Sequence, residues 1–119
     1  MADSLKDKVS DDEWQTRVNL AAAFRVAYHY GWNETINNHI SARIPGTPEQ
    51  FIMNPVGLGW DEITASNLIT ADIHGQVVTE SDFKLAKSGQ NFHTIVQRDR
   101  PDLQCVFHIH PADGVIVSA

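Results

Sequence analysis

The chain is short of cysteine, of positive charge and of long apolar runs, and each shortage removes a class of function. Cys105 is its only cysteine, which excludes an internal disulfide framework and fits a reducing compartment. A lone thiol in an apolar run reads first as a small buried hydrophobe. Lys and Arg number 9 against 15 Asp and Glu, a formal charge of -6. That balance argues against nucleic acid as a partner, since such binding is dominated by phosphate neutralisation. No apolar run approaches the ~20 residues that cross a bilayer, so no membrane partner is expected. Met1–Ser10 mixes Lys6 and Lys8 with Asp3 and Asp7 and lacks the apolar stretch of a secretory signal. The expectation is a cytoplasmic protein.

What remains is the composition of a globular α/β chain. Its 119 residues are about one domain. Residues 1–10 read as a frayed polar arm and residues 11–119 as the domain. Ser10-Asp11-Asp12-Glu13 has the form of a capping box. Trp14, Val18, Ala21 and Ala22 follow at helical spacing, which predicts a helix from Asp11 to Tyr30, stopped by Gly31. His39–Ile44 alternates as a strand does, Pro45-Gly46-Thr47-Pro48 is a turn signal, and Phe51–Met53 is a short strand. Asp61–Asn67 holds room for one helical turn. Leu68–Ile73 and Gln76–Thr79 flank His74-Gly75, a connection short enough for a tight hairpin. Ser88 stands where a residue caps a helix carrying Phe92, Ile95 and Val96 on its apolar side, and Pro101 ends it. Pro111 can open a last helix. That helix meets no stop signal before Ala119, so the domain reads as cut short.

The segment Cys105-Val106-Phe107-His108-Ile109-His110 carries the chemistry. On a strand, alternate side chains share a face. Cys105, Phe107 and Ile109 then go one way into a core, and Val106, His108 and His110 go the other. The two imidazoles leave the strand end together, roughly 6–7 Å apart at the backbone. Two such rings can converge on one ion at ~2.0–2.1 Å. Zinc is the default ion for imidazole, although a catalytic site takes three protein ligands and only two are placed here. His29, His39, His74 and His93 have no spacing that nominates a third. The plainer alternative is a pair of hydrogen-bonded histidines at a strand end.

Several ordered segments together resemble the class II aldolase/adducin family. They are Asn38–Arg43, Phe51–Leu58, Asp61–Ser66, Asp72–Gly75, and the run from His93 through Arg100-Pro101-Asp102 to His108-Ile109-His110. The resemblance implies a three-layer α/β/α fold around a mostly antiparallel sheet, present here as its N-terminal portion. It implies a homo-oligomer and a divalent metal, usually zinc, held by three histidines. His108 and His110 match the first two, and the third belongs to a downstream segment in the family. The implied activity is a lyase, epimerase or dehydratase reaction on a small carbonyl or sugar-phosphate-like substrate. Two departures accompany the match. The position of the enzymes' acid/base glutamate, four residues before His93, is Gly89. Their Thr-x-Gly-Asn phosphate stretch is replaced by Ile36-Asn37-Asn38-His39. Both resemble the adducin-like branch.

Other residues qualify as substrate contacts, each beside a structural alternative. Asn54 and Gly57 could line a pocket through backbone N–H groups, or simply build a turn. Ser88 and Gly89 could bind an anion at a helix start, or serve as a cap. His39 and Ser41 share a strand face and could reach substrate, or satisfy each other's neighbours inside the fold. His93, at helical spacing near Phe92 and Val96, reads as structural. Two functional classes follow: a metal-dependent enzyme, and a non-catalytic module for self-association or protein binding.

Overall fold

The computed structural model describes residues 4–34 and 37–118. Its elements run α1 (Leu5–Lys8), α2 (Asp11–His29), β1 (His39–Ile44), β2 (Thr47–Met53), a 3-10 turn (Trp60–Glu62), β3 (Ile69–Asp72), α3 (Lys87–Asp99), β4 (Cys105–His108) and α4 (Ala112–Ser118). The strands form one sheet, ordered β3-β2-β1-β4, antiparallel throughout.

Alternation along β1 divides the fold into three layers. Ile40, Ala42 and Ile44 face α2 and pack with Leu20, Phe24, Ala27, Ile52, Trp60, Ile63 and Leu68. The rings of Phe24 and Trp60 meet edge to face at 4.9 Å. Each such fully buried apolar side chain contributes about 1.5–3 kcal/mol. His39, Ser41 and Arg43 turn to the opposite face, under α3, where their hydrogen-bond partners lie. A smaller apolar group, Phe51, Met53 and Ala71, with Ile73 and Leu85 against it, lies further along the sheet.

Local chemistry explains the boundaries. Ser10 caps α2 as expected, its Oγ accepting from the Glu13 N–H at 3.1 Å. Glu13 does not complete the box. Its carboxylate accepts instead from Arg17 Nε and Thr70 Oγ1, because the buried Arg17 guanidinium is the stronger partner. Gly31, at φ 71°, ends the helix in the left-handed region that glycine enters at little cost. The β1–β2 turn needs only Pro45 and Gly46, and Ile44 already pairs with Thr47. Pro48 is tolerated in β2 because β3 pairs only from Gln50 onward.

Three expectations are corrected. Gln76–Thr79 does not form a strand: it returns with a single bridge, Ala71 to Val77. The Thr79 side chain takes the ladder position instead, accepting from the Thr70 N–H at 2.8 Å. Ser88 is no cap, since the helix starts one residue earlier, after Ala86, with no side-chain cap. Finally, α3 docks by the side opposite to the one its apolar residues mark. Gly89, His93, Thr94 and Gln97 are buried, while Phe92 and Ile95 are 49% and 51% exposed. The reason is the face it meets. Arg43 donates to the carbonyls of Gln97 and Arg100 at the helix end, at 2.5 and 3.2 Å, and also to Pro48 and Leu103. A polar sheet face with fixed donors selects the polar helix side.

Candidate metal centre

The site is built where β1, α3 and β4 meet. Antiparallel pairing sets His39 opposite His108. One face of the sheet therefore gathers both rings, and α3 adds His93 from above. His110 follows the end of β4, its N–H bonded to the Trp32 carbonyl at 3.2 Å.

The four imidazoles make one continuous chain. Ser41 Oγ lies 2.6 Å from His93 Nδ1, and His93 Nε2 lies 2.7 Å from His39 Nδ1. His39 Nε2 is 3.2 Å from His108 Nδ1, and His108 Nε2 is 3.0 Å from His110 Nε2. The far end is closed by Glu34, whose Oε2 accepts from His110 Nδ1 at 2.5 Å. The near end is closed by Gln97, whose Nε2 donates to Ser41 Oγ at 3.1 Å. A single direction satisfies every link. Each ring donates from one nitrogen and accepts at the other, from Gln97 through Ser41 and the histidines to Glu34.

Electrostatics favour the neutral form of three of these rings, His39, His93 and His108. Burial, then the proximity of His108 and His110, pushes His39 down to about 4. Burial, then His39 and His108, pushes His93 down to about 3. His108 is also lowered, by burial first and by His110 second. A neutral imidazole is the form that binds a metal.

The expected pair is brought together. His108 and His110 meet through their Nε2 atoms at a spacing that two ligands of one ion at ~2.0–2.1 Å can span. The bracing expected for them is corrected. Cys105 is exposed and Phe107 is 45% exposed, so only Ile109 packs against the core. β4 is an edge strand, and its support comes from pairing with β1. Among the described residues, no set of three or more His, Cys, Asp or Glu side chains is arranged to hold a metal. His108 and His110 together offer two donors.

His39, Ser88 and Gly89 line a cavity of about 350 Å³ with Phe92, Phe107 and His108. A second, larger cavity of about 800 Å³ lies across His108, against Glu34, His110, Pro111 and α4. Ser41 is fully buried and serves His93 and Gln97. Asn54 is nearly buried, its amide bonding Asn38 O at 3.2 Å and Ile40 N at 3.3 Å, so it holds the start of β1 beside His39. Gly57, at φ 92°, lies in the following turn and lines neither cavity at His108.

His93 and Glu34 are the residues sequence reasoning missed. Neither has a motif spacing to His108: the docking of α3 brings His93 to His39, and the segment before β1 carries Glu34 to His110. His39, expected either at substrate or satisfied within the fold, is bonded to His93 and His108.

Comparison with known proteins agrees with this geometry. A sequence model of the Class II Aldolase and Adducin N-terminal domain matches residues 18–119. The structure of an aldolase II superfamily protein from Pseudomonas syringae superposes with a TM-score of 0.92 at 45% identity, over 98% of this chain and 48% of that one. An L-fuculose 1-phosphate aldolase from Glaciozyma antarctica PI12 superposes with a TM-score of 0.80 at 27% identity, over 89% of this chain and 44% of that one. Alpha-adducin of Mus musculus is 38% identical over 87% of this chain and 14% of its own length. The chain thus spans less than half the length of the curated relatives it matches. With its helix–sheet–helix layering and the histidine pair at the end of β4, the chain belongs to the class II aldolase and adducin family.

Proposed function

We propose that this domain is the metal-holding half of a divalent-metal-dependent enzyme, a lyase, epimerase or dehydratase acting on a small carbonyl or sugar-derived substrate. One observation carries the reading: His108 and His110 present Nε2 atoms to each other at 3.0 Å, each ring held from behind at Nδ1. Imidazole ligands suit zinc, and such backing partners are what orient metal-binding histidines. An ion bound there supplies Lewis-acid polarisation of a carbonyl oxygen. The protein's own part is to orient the two rings and offer the flanking cavities to substrate. Ser88 and Gly89 at the start of α3 stand at the rim of one of them. Asn54 acts on this rim only through the position of His39.

Elemental analysis of the purified chain and of a His108→Ala/His110→Ala variant tests the metal reading. With only two of three ligands on this chain, weak zinc binding is expected in the parent and none in the variant. Equal metal content in both removes the site.

A second reading has its own support. Gly89 stands where the resembling enzymes carry a carboxylate, and alpha-adducin matches along most of the chain. On this reading the fold is a non-catalytic module for self-association or protein binding. Turnover of small carbonyl substrates by the zinc-loaded protein separates the two. Both readings include a cytoplasmic homo-oligomer, and the solvent-facing Phe92, Ile95, Ile116 and Val117 support association. Sedimentation is expected to show mass increasing with concentration; a monodisperse monomer at high concentration rejects it. Among the described residues no helix is long and apolar enough to cross a membrane.

A further inference from the structure

We propose that His39 is the positioning residue for His108, and that Gly89 is the missing side chain that admits it. The inference rests on the metal reading above. It adds which residues set the metal-facing nitrogen.

Two independent observations meet here. The first is steric. A Cβ built on Gly89 would lie 2.9 Å from His39 Cδ2 and 3.2 Å from His39 Nε2. Real Cβ atoms do not approach a ring carbon that closely, so any side chain at 89 displaces the imidazole of His39. Gly89 lies in the first turn of α3 without a positive φ that would call for glycine, and glycine is a poorer helix former than alanine. Close approach to His39 is the gain that offsets this cost. The second observation is the hydrogen-bond chain. His39 Nε2 is 3.2 Å from His108 Nδ1, and His39 is itself held at Nδ1 by His93, which is fully buried against Ser41. His39 therefore transmits a rigid, buried anchor to a ring on an edge strand that has little packing of its own.

The chain also has a defined response to metal. Without metal, one direction satisfies it: His39 donates from Nε2 to His108, and His108 donates from Nε2 to His110. An ion held at His108 Nε2 would remove that donor and place the His108 proton on Nδ1, which would donate to His39 Nε2. The His39 and His93 protons would then sit on Nδ1, with Ser41 Oγ accepting. No proton is gained or lost. The Ser41 hydroxyl then needs an acceptor. The Oε1 of Gln97 is buried with no partner among the described residues, on the same amide whose Nε2 now meets Ser41 at 3.1 Å. A half-turn of that amide supplies the acceptor. Gln97 is thus the reversible end of the relay.

Zinc titration calorimetry on the parent, His39→Ala, His39→Gln, His39→Asn, Gly89→Ala and the His39→Ala/Gly89→Ala double variant tests the proposal. Circular dichroism is run alongside to confirm folding. Loss of a partner behind a metal ligand weakens affinity about 10- to 100-fold, and that loss is expected for His39→Ala and Gly89→Ala. The double variant should bind like His39→Ala alone, since the steric conflict is gone. Glutamine places its amide near the Nε2 position and should keep affinity within a few-fold, whereas asparagine reaches only as far as Nδ1 and should behave as alanine. Nitrogen-15 shifts should show His39 and His93 exchanging their protonated nitrogen on zinc addition. If the parent takes up zinc and all five variants bind equally well, the positioning role is overturned and the metal reading stands. If the parent takes up no zinc, both fall.

Discussion

Replacing Arg17 by methionine is expected to lower the unfolding free energy by about 3–5 kcal/mol, the range for removing one partner of a buried charge network. Arg17 is 0% exposed although it lies in the middle of α2. Its guanidinium donates to the carbonyls of Ala65 and Leu68 at 3.1 and 2.6 Å, to Thr70 Oγ1 at 2.8 Å and to Thr79 Oγ1 at 3.0 Å. It also pairs with Glu13 at 3.0 Å. Burial lowers its pKa and the Glu13 carboxylate opposes that, but guanidinium remains charged. Methionine fills much of the volume and satisfies none of these oxygens. Two carbonyls, two hydroxyls and a carboxylate only 13% exposed are then left to find water inside the fold. Glu13→Gln should cost less, because its carboxylate sits nearer solvent and an amide still accepts from Arg17. Urea unfolding at pH 7 measures both. A loss below about 1 kcal/mol for Arg17→Met would show that the network contributes little net stability.

Stability is also expected to fall steeply as pH drops from about 6.5 towards 4. The folded rings of His39 and His93 take up protons only near about 4 and about 3, whereas the unfolded chain takes them up near the ordinary histidine value. Between those limits the unfolded state binds more protons than the native state. Stability therefore rises with pH across this window and is lost on acidification. Each such ring adds a slope of about 1.4 kcal/mol per pH unit. The contribution is complete above pH 7, where both states hold neutral rings. His93 is the more deeply buried, and its two nitrogens are already committed to Ser41 and His39. A proton there has no acceptor to meet unless the chain breaks. Urea unfolding across pH 7 to 4.5, comparing parent with His93→Gln, isolates this ring. The variant should be less stable at pH 7 but show a slope flatter by about one proton. Parallel slopes would mean that His93 is not the group refusing the proton.

Much of the site was legible because its signals are local. Ser10 before an amphipathic run gave α2, and the alternation of His39–Ile44 gave β1. The His-x-His spacing gave the convergent pair, since a strand's two-residue period holds wherever the strand is placed. Helix α3 was misread for an equally physical reason. Periodicity assumes that the apolar side is the buried side, and here Ser41, His39 and Arg43 reward the side carrying His93 and Gln97.

The chain's covalent order was sufficient to decide that His108 and His110 share a direction and that α2 stops at Gly31. Only the folded arrangement decided who stands behind those two rings. Pairing of β1 with β4 sets His39 against His108, docking of α3 sets His93 against His39, and the bare Cα of Gly89 leaves room for the contact. Residues up to 76 positions apart meet there. Sequence spacing carries no record of such meetings, because strand register and helix facing are settled by the whole polar network at once.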